Sequence, residues 1–246
     1  MSGTQQRAGR STVPALDAMS QRILDVIHER GLGPGDPIPT EPELVDVLAV
    51  SRNSVREAIR PLRALGIVEV RRGHGTVVAE PSLRALSPSL AFRVIAGSAR
   101  SGETAGGAGA LAELRHLVEI RELIEAGAAE RLVREVDAAT VERLSELCDE
   151  MTREGPNPEV DREFHRLLYS TVDNPLIGQL VDVFWDAYQD ARGVLEAPSK
   201  EAAEDTTAKH RHIVEALRSG DAEVLRSAMS RHFAEIKQRI DAAAPR

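Results

Sequence analysis

The sequence predicts a mainly α-helical chain, with an N-terminal winged helix-turn-helix followed by an antiparallel α-helical bundle. Three observations predict it. The core-forming residues are aliphatic, since 42% of the 246 residues are apolar but only 3% are aromatic, and Leu and Ala are strong helix formers. Apolar residues recur at three- and four-residue spacing through most of the chain, the period of a helix with one buried face. The departure from that period is a pair of short β-branched runs around a glycine-containing turn, near residues 67–78, which reads as a hairpin. The length suits one large or two modest domains.

The elements follow in order. Residues 1–12 read as a disordered tail and 13–80 as the winged unit. A first helix is expected from about Pro14 to Arg30, with Leu16, Met19, Ile23 and Ile27 on one stripe. Gly31 stops it, and Gly33-Pro34-Gly35-Asp36-Pro37 is a turn-rich connector. Thr40 with Glu43 three residues on makes a capping box for a second short helix. Pro42 falls in its first turn, where a missing N–H costs little, and Leu44, Val47 and Leu48 form its apolar face. Ser51 caps a third helix. Val55, Ala58, Ile59, Leu62 and Leu65 are its expected buried face, and Arg52, Arg56, Arg60 and Arg63 lie opposite. Pro61 should bend this helix or weaken its second half. Residues 67–70 and 76–78 then pair around Arg71-Arg72-Gly73-His74-Gly75.

Residues 81–110 read as a linker. It holds a short helix over Leu83–Ile95 and a flexible loop in the Gly- and Ser-rich stretch 97–109. From 111 to 246 the pattern is helical, with helices expected at 111–135, 138–153, 158–171, 175–196, 200–218 and 221–241. No run of about 18 uncharged apolar residues exists to span a bilayer, and the polar start from Met1 to Ser11 has no signal-peptide core. The lone Cys148 lies at helical spacing with Leu144, Leu147 and Met151 and reads as a small core residue. A cytoplasmic location is expected.

Charge is uneven. The net charge is −8, yet residues 1–80 hold ten Arg against ten Asp and Glu, and residues 81–246 carry the whole deficit. Within 51–72 six arginines face only Glu57 and Glu69. A basic patch on an acidic chain fits a nucleic-acid contact. A short helix, a tight turn and a second capped helix with exposed arginines is the helix-turn-helix layout, in which the second helix enters the major groove by its N-terminal end. Ser51, Arg52, Asn53 and Arg56 occupy that end. Arginine can hold guanine O6 and N7 with two hydrogen bonds, giving roughly 1–3 kcal/mol of discrimination. The Ser51 hydroxyl and the helix N-terminus suit a phosphate. Arg72 and His74 at the hairpin tip suit a phosphate or the minor groove. Taken singly, these arginines also fit an ordinary solvated helix face; the order of the elements favours DNA.

Residues 38–78, and within them SRNSVREAI, LGIVEV and RGHGTVV, resemble the DNA-binding segment of the GntR family of regulators. The resemblance implies operator contact by Ser51, Arg52, Arg56, Arg72 and Gly73. The family often has arginine where this chain has Pro42, a DNA contact in some members that is missing here.

Three histidines sit on apolar helix faces in the second half. Asp161 and His165 share a face with Leu168 and Val172, His210 lines up with Ile213 and Leu217, and His232 with Leu225, Met229, Ile236 and Ile240. Polar groups on inward stripes need partners. Each histidine alone fits a hydrogen-bonded core residue; together with Asp161 they fit a divalent metal in a helical bundle, with Zn, Ni and Fe all compatible. His28, His116 and His212 read as surface residues. Arg121 falls on the stripe of Leu114, Leu117, Ile124 and Ala128, and a buried arginine needs an anion. That anion is either a protein carboxylate or a bound carboxylate ligand.

The stretches VEIRELIEAGAAERL, DREFHRLLYSTVDNPLI, KHRHIVEAL and MSRHFAEI resemble the FCD effector domain of FadR-type GntR regulators. The resemblance implies a divalent metal, zinc first, on Asp161, His165, His210 and His232, with a carboxylate metabolite beside it near Arg121. The chain reads as a homodimer, whose two-fold symmetry would be mirrored in a palindromic operator, and the resemblance implies that ligand binding releases the DNA, as a repressor would. Three rival readings are a metal-dependent enzyme fused to a DNA-binding domain, a sensor of the metal itself, and a helical interaction module. No nucleophile motif supports the enzyme.

Overall fold

The computed structural model of the chain describes residues 16–100, 107–154, 157–191, 193 and 200–243. The expected tail at 1–12, the middle of the glycine-rich stretch at 101–106 and the end of the expected 175–196 helix at 194–196 lie outside the described residues. The chain divides into two compact units, 1–85 and 86–246.

The first unit is built from helices α1 (Ala18–Glu29), α2 (Glu41–Leu48) and α3 (Arg52–Ala64) and strands β1 (Val68–Arg71) and β2 (Gly75–Val78). Helix α1 starts later than its apolar stripe implied, because the Asp17 carboxylate accepts from the N–H groups of Met19 and Ser20 and fixes the cap there. Thr40 and Glu43 form the expected capping box at α2, with the Glu43 carboxylate 2.8 Å from the Thr40 N–H. Ala49 ends α2 in the left-handed region at φ 52, and Ser51 opens α3 by accepting from the Ser54 N–H at 3.2 Å. A three-residue turn thus joins the two helices. Arg22 of α1 secures it by donating to the Leu48 carbonyl at 2.7 Å.

Helix α3 runs through Pro61 to Ala64. Leu62, just past the proline, is fully buried, and the Pro61 carbonyl accepts from Leu65 at 2.9 Å, so packing holds the turn that the proline would loosen. The strands pair antiparallel from Val68 opposite Val78 to Arg71 opposite Gly75, and the connector lies along β2, with Ile38 donating to the Thr76 carbonyl at 3.0 Å. Ile23, Ile27, Leu44, Leu48, Val55, Ile59, Leu62 and Val68 fill the core. Two expected core residues are outside it: Val47 is 50% exposed and Leu65 39%. Ser20 is fully buried, and its hydroxyl lies 2.9 Å from the Ala58 carbonyl, tying α1 to α3.

The second unit is all helix among the described residues: α4 (Ser87–Arg100), α5 (Ala108–Gly127), α6 (Ala129–Glu135), α7 (Ala138–Glu154), α8 (Pro158–Ser170), α9 (Pro175–Ala191), α10 (Lys200–Ser219) and α11 (Ala222–Ala243). Two sequence expectations change here. Helix α4 continues past Gly97, and α5 begins at Ala108. A Cβ on Gly97 would sit 2.6 Å from the Gly109 carbonyl oxygen, so Gly97 lets two helices approach closely. The expected single helix 111–135 divides at Ala128, where α5 ends and α6 begins. Helix α5 packs on α4, α9 and α11, while α8 packs between α7 and α9 and α10 between α7 and α11. One apolar cluster joins α6, α7, α8, α10 and α11, and a second joins α4, α5, α9 and α11. Cys148 is buried in the first, and burial pushes its thiol up to about 12, which keeps it unreactive.

Candidate DNA-binding face and metal cage

All seven residues expected to meet DNA are exposed: Ser51, Arg52, Asn53 and Arg56 at the start of α3, and Arg72, Gly73 and His74 in the turn between β1 and β2. Among the described residues neither Arg52 nor Arg72 forms an ion pair, so both guanidinium groups are available. Arg56 is engaged, with its Nε donating to both carboxylate oxygens of Glu41 at 3.0 and 2.8 Å. This pair joins the first turn of α2 to the exposed face of α3. Both side chains are well exposed, and such pairs contribute about 0–1 kcal/mol. The Ser51 oxygen is likewise occupied by its own helix cap. Gly73 and Gly75 hold φ of 82 and 76, which a side chain would strain. The His74 N–H closes the wing tip on the Arg71 carbonyl at 3.0 Å.

In the second unit α8, α10 and α11 bring three histidines together. His165 and His232 are almost fully buried and His210 fully so, and one ring nitrogen from each lies within 4.8 Å of the others. Asp161, one turn before His165 on α8, turns Oδ1 toward the same point, 2.9 Å from His210 Nε2 and 3.7 Å from His165 Nε2. Phe164 forms an apolar wall, its ring edge-on to those of His165 and His210.

The electrostatics favour a donor set in its ligating state. Burial, then the Arg121 charge, holds His165 well below the ordinary imidazole value. Burial and the facing His210 and His165 do the same to His232. Burial alone would raise Asp161, but His210, His165 and Arg121 outweigh it and hold the carboxyl well below its usual range. Neutral imidazoles and an ionised carboxylate are the forms that bind a metal. Both ring nitrogens of His165 and Nδ1 of His232 lack a hydrogen-bond partner, and a buried unpaired polar group costs about 1–3 kcal/mol. A divalent cation fits this set because it would take one nitrogen from each ring.

Beside the cage, Arg121 on α5 finds a protein carboxylate one turn further on, as its Nε donates to Glu125 Oε1. Burial works against the guanidinium charge, and Glu125 more than restores it. Tyr169 donates to the other Glu125 oxygen at 2.8 Å, and that oxygen lies 3.6 Å from His165 Nδ1. Arg121 Nη2 is left buried without a hydrogen-bond partner, so the guanidinium keeps a donor nitrogen for a further anion. Sequence reasoning missed Glu125, Tyr169, Trp185 and Glu41. Glu125 carried a signal, a carboxylate four residues after an arginine on an apolar stripe. Trp185 of α9, which donates to Asp161 Oδ2 at 2.8 Å, carried none.

Comparison with known proteins bears on both units. Residues 17–78 match the family described as "Bacterial regulatory proteins, gntR family", and residues 116–235 match the FCD domain. The HTH-type transcriptional regulator LutR of Bacillus subtilis is 25% identical over 220 residues, covering 86% of this chain and 94% of that protein. The galactonate operon transcriptional repressor of Escherichia coli is 32% identical over 156 residues, covering 63% of this chain and 65% of that protein. A solved structure, Streptococcus agalactiae GntR, shares the fold with a TM-score of 0.60 at 24% identity, covering 89% of this chain and 97% of that one. These relatives and domains are transcription regulators, not enzymes.

Proposed function

The chain belongs to the gntR family of bacterial regulatory proteins, with an FCD domain following its winged helix-turn-helix, and on that premise we propose that it is a metal-dependent repressor released from its operator by a small carboxylate metabolite. The observation that carries this reading is the convergence of three buried histidines, with the Asp161 carboxylate against two of them, beside a buried arginine with an unpartnered nitrogen. Asp161, His165, His210 and His232 would hold the cation, zinc first among those that accept three nitrogens and one oxygen. A bound divalent cation supplies a positive centre for an acidic ligand. Arg121 would take the ligand carboxylate through Nη2, while Glu125 keeps the guanidinium oriented. The acid is a metabolite of the galactonate kind, an inference supported by the name of the E. coli relative.

At the DNA, Arg52 and Arg56 would read base edges from α3. Ser51, with the N-terminus of α3, and Asn53 would hold backbone, and Arg72, Gly73 and His74 would follow the groove from the wing. Two copies would meet a palindromic operator by two-fold symmetry. The homodimer reading is further supported by α4 and α5, which pack on each other and leave Phe92, Ile95, Ile120 and Leu123 about half exposed or more. Among the described residues no helix is long and apolar enough to cross a membrane. The acid binds one arrangement of the protein better than the other and so shifts the operator-bound fraction, a coupling of typically about 1–3 kcal/mol.

Operator-fragment gel shifts, with zinc-loaded and chelated protein and a panel of hydroxy acids including galactonate, test this reading. One acid should weaken operator binding at least about fivefold, only in zinc-loaded protein, and not in Arg121→Met. Operator binding indifferent to every acid and to zinc sinks the proposal.

A further inference from the structure

We propose that Trp185 is a positioning residue of the cage, whose indole N–H fixes Asp161 so that a single carboxylate oxygen, Oδ1, is offered to the cation. The inference rests on the metal reading above. Trp185 is 6% exposed on α9 and donates from Nε1 to Asp161 Oδ2 at 2.8 Å. The other oxygen, Oδ1, is the one that faces His210 Nε2 at 2.9 Å and His165 Nε2 at 3.7 Å. The two oxygens of one carboxylate thus have separate tasks. An indole N–H can only donate, so it holds the carboxylate without competing for the cation. A carboxylate held by one oxygen takes one coordination position rather than two, which leaves room for a carboxylate ligand on the metal.

The indole is itself held from a second direction. Arg162, the residue after Asp161, places Cζ 5.0 Å from the Trp185 ring centroid and is tied back to α9 through Asp186 at 2.6 Å. Consecutive residues of α8 therefore grip the edge and the face of one side chain of α9. A buried indole needs some acceptor; the acceptor here is the one carboxylate of the donor set, and outer partners of this kind alter metal affinity by about 10–100-fold.

The test is a zinc titration of the full chain against a competing chromophoric chelator. Trp185→Phe keeps an aromatic ring but removes the donor, and it should weaken zinc binding by about 10–100-fold. In an Asp161→Asn background the same change should have little further effect, because Trp185 acts through that carboxylate. A substitution that only loosened packing would cost the same in both backgrounds, and that result overturns the proposal, as does unchanged affinity in Trp185→Phe. A second measurement needs no change at 185. Trp185 is the only tryptophan, so 15N-labelled protein gives a single indole N–H resonance. It should shift on zinc addition and in Asp161→Asn; a resonance that ignores both overturns the proposal. Wild-type protein that takes up no zinc removes the cage reading itself, whereas zinc-binding wild type with an indifferent Trp185→Phe removes only the role of Trp185.

Discussion

Replacing Arg121 by Met strands a buried charge. Glu125 is 1% exposed, and its partners are Arg121 and the Tyr169 hydroxyl. Without the guanidinium the carboxylate keeps one hydrogen bond from Tyr169 and no counter-charge of its own. Breaking a buried pair from one side costs about 3–5 kcal/mol, a large share of the roughly 5–15 kcal/mol that holds a typical domain together. The double variant Arg121→Met/Glu125→Gln removes the stranded charge while keeping the shape, so its cost should fall to about 1–3 kcal/mol, that of an imperfectly bonded buried amide. The assay is urea unfolding of chelator-treated protein, followed by Trp185 fluorescence. The sole tryptophan lies in the unit 86–246, so it reports the unit that contains the pair. A single variant losing under about 1 kcal/mol, or a double variant less stable than the single, refutes the view of Arg121 and Glu125 as a mutually dependent buried pair.

Further outcomes follow from the same geometry. Arg52→Ala should lower operator affinity in an anisotropy titration by about 1–3 kcal/mol with the fold unchanged; unaltered affinity counts against α3 as the reading helix. Arg56→Ala should also abolish selective binding, while its effect on the unfolding midpoint stays within the roughly 1 kcal/mol of an exposed pair, since Glu41 is its only ion-pair partner among the described residues. His165 and His232 are held below 6.5 in the fold but not in the unfolded chain. Metal-free protein therefore has its full stability above about pH 6.5 and loses up to about 1.4 kcal/mol per pH unit per histidine as the pH falls from there toward the lowered values. Urea midpoints independent of pH between 6.5 and 5 contradict that account. Leu144→Ala in the fully buried centre of α7 should cost about 2–5 kcal/mol by the same assay, and a loss below about 1 kcal/mol would mean that the core is looser than described.

Much of this molecule was legible because the signals were local. Thr40 with Glu43, Ser51 before the arginine helix, and the glycines of the wing each act within three or four residues, and the structure places a cap or turn at each. The histidines were readable because each broke an apolar stripe on its own helix. What failed to show was long-range or double-edged. Glu41 meets Arg56 fifteen residues away, and Trp185 meets Asp161 from another helix across 24 residues; neither spacing has a period. Gly97 looks like loop composition, yet it permits a close helix contact. Nothing in the even helical pattern of 111–135 marked the break at Ala128, and only Gly127 lies beside it. Val47 looked like part of an apolar face because α2 is short, where one residue more or less on a stripe changes the apparent period little.

The central claim is that the exposed start of α3 reads a specific operator. It is tested most directly by enriching genomic fragments on the purified full chain at about physiological salt, in parallel with the Arg52→Ala and Arg56→Ala proteins. The account predicts one palindromic sequence enriched by the wild type and lost with either arginine. Fragments recovered without a common sequence, or the same sequence recovered by all three proteins, would contradict it.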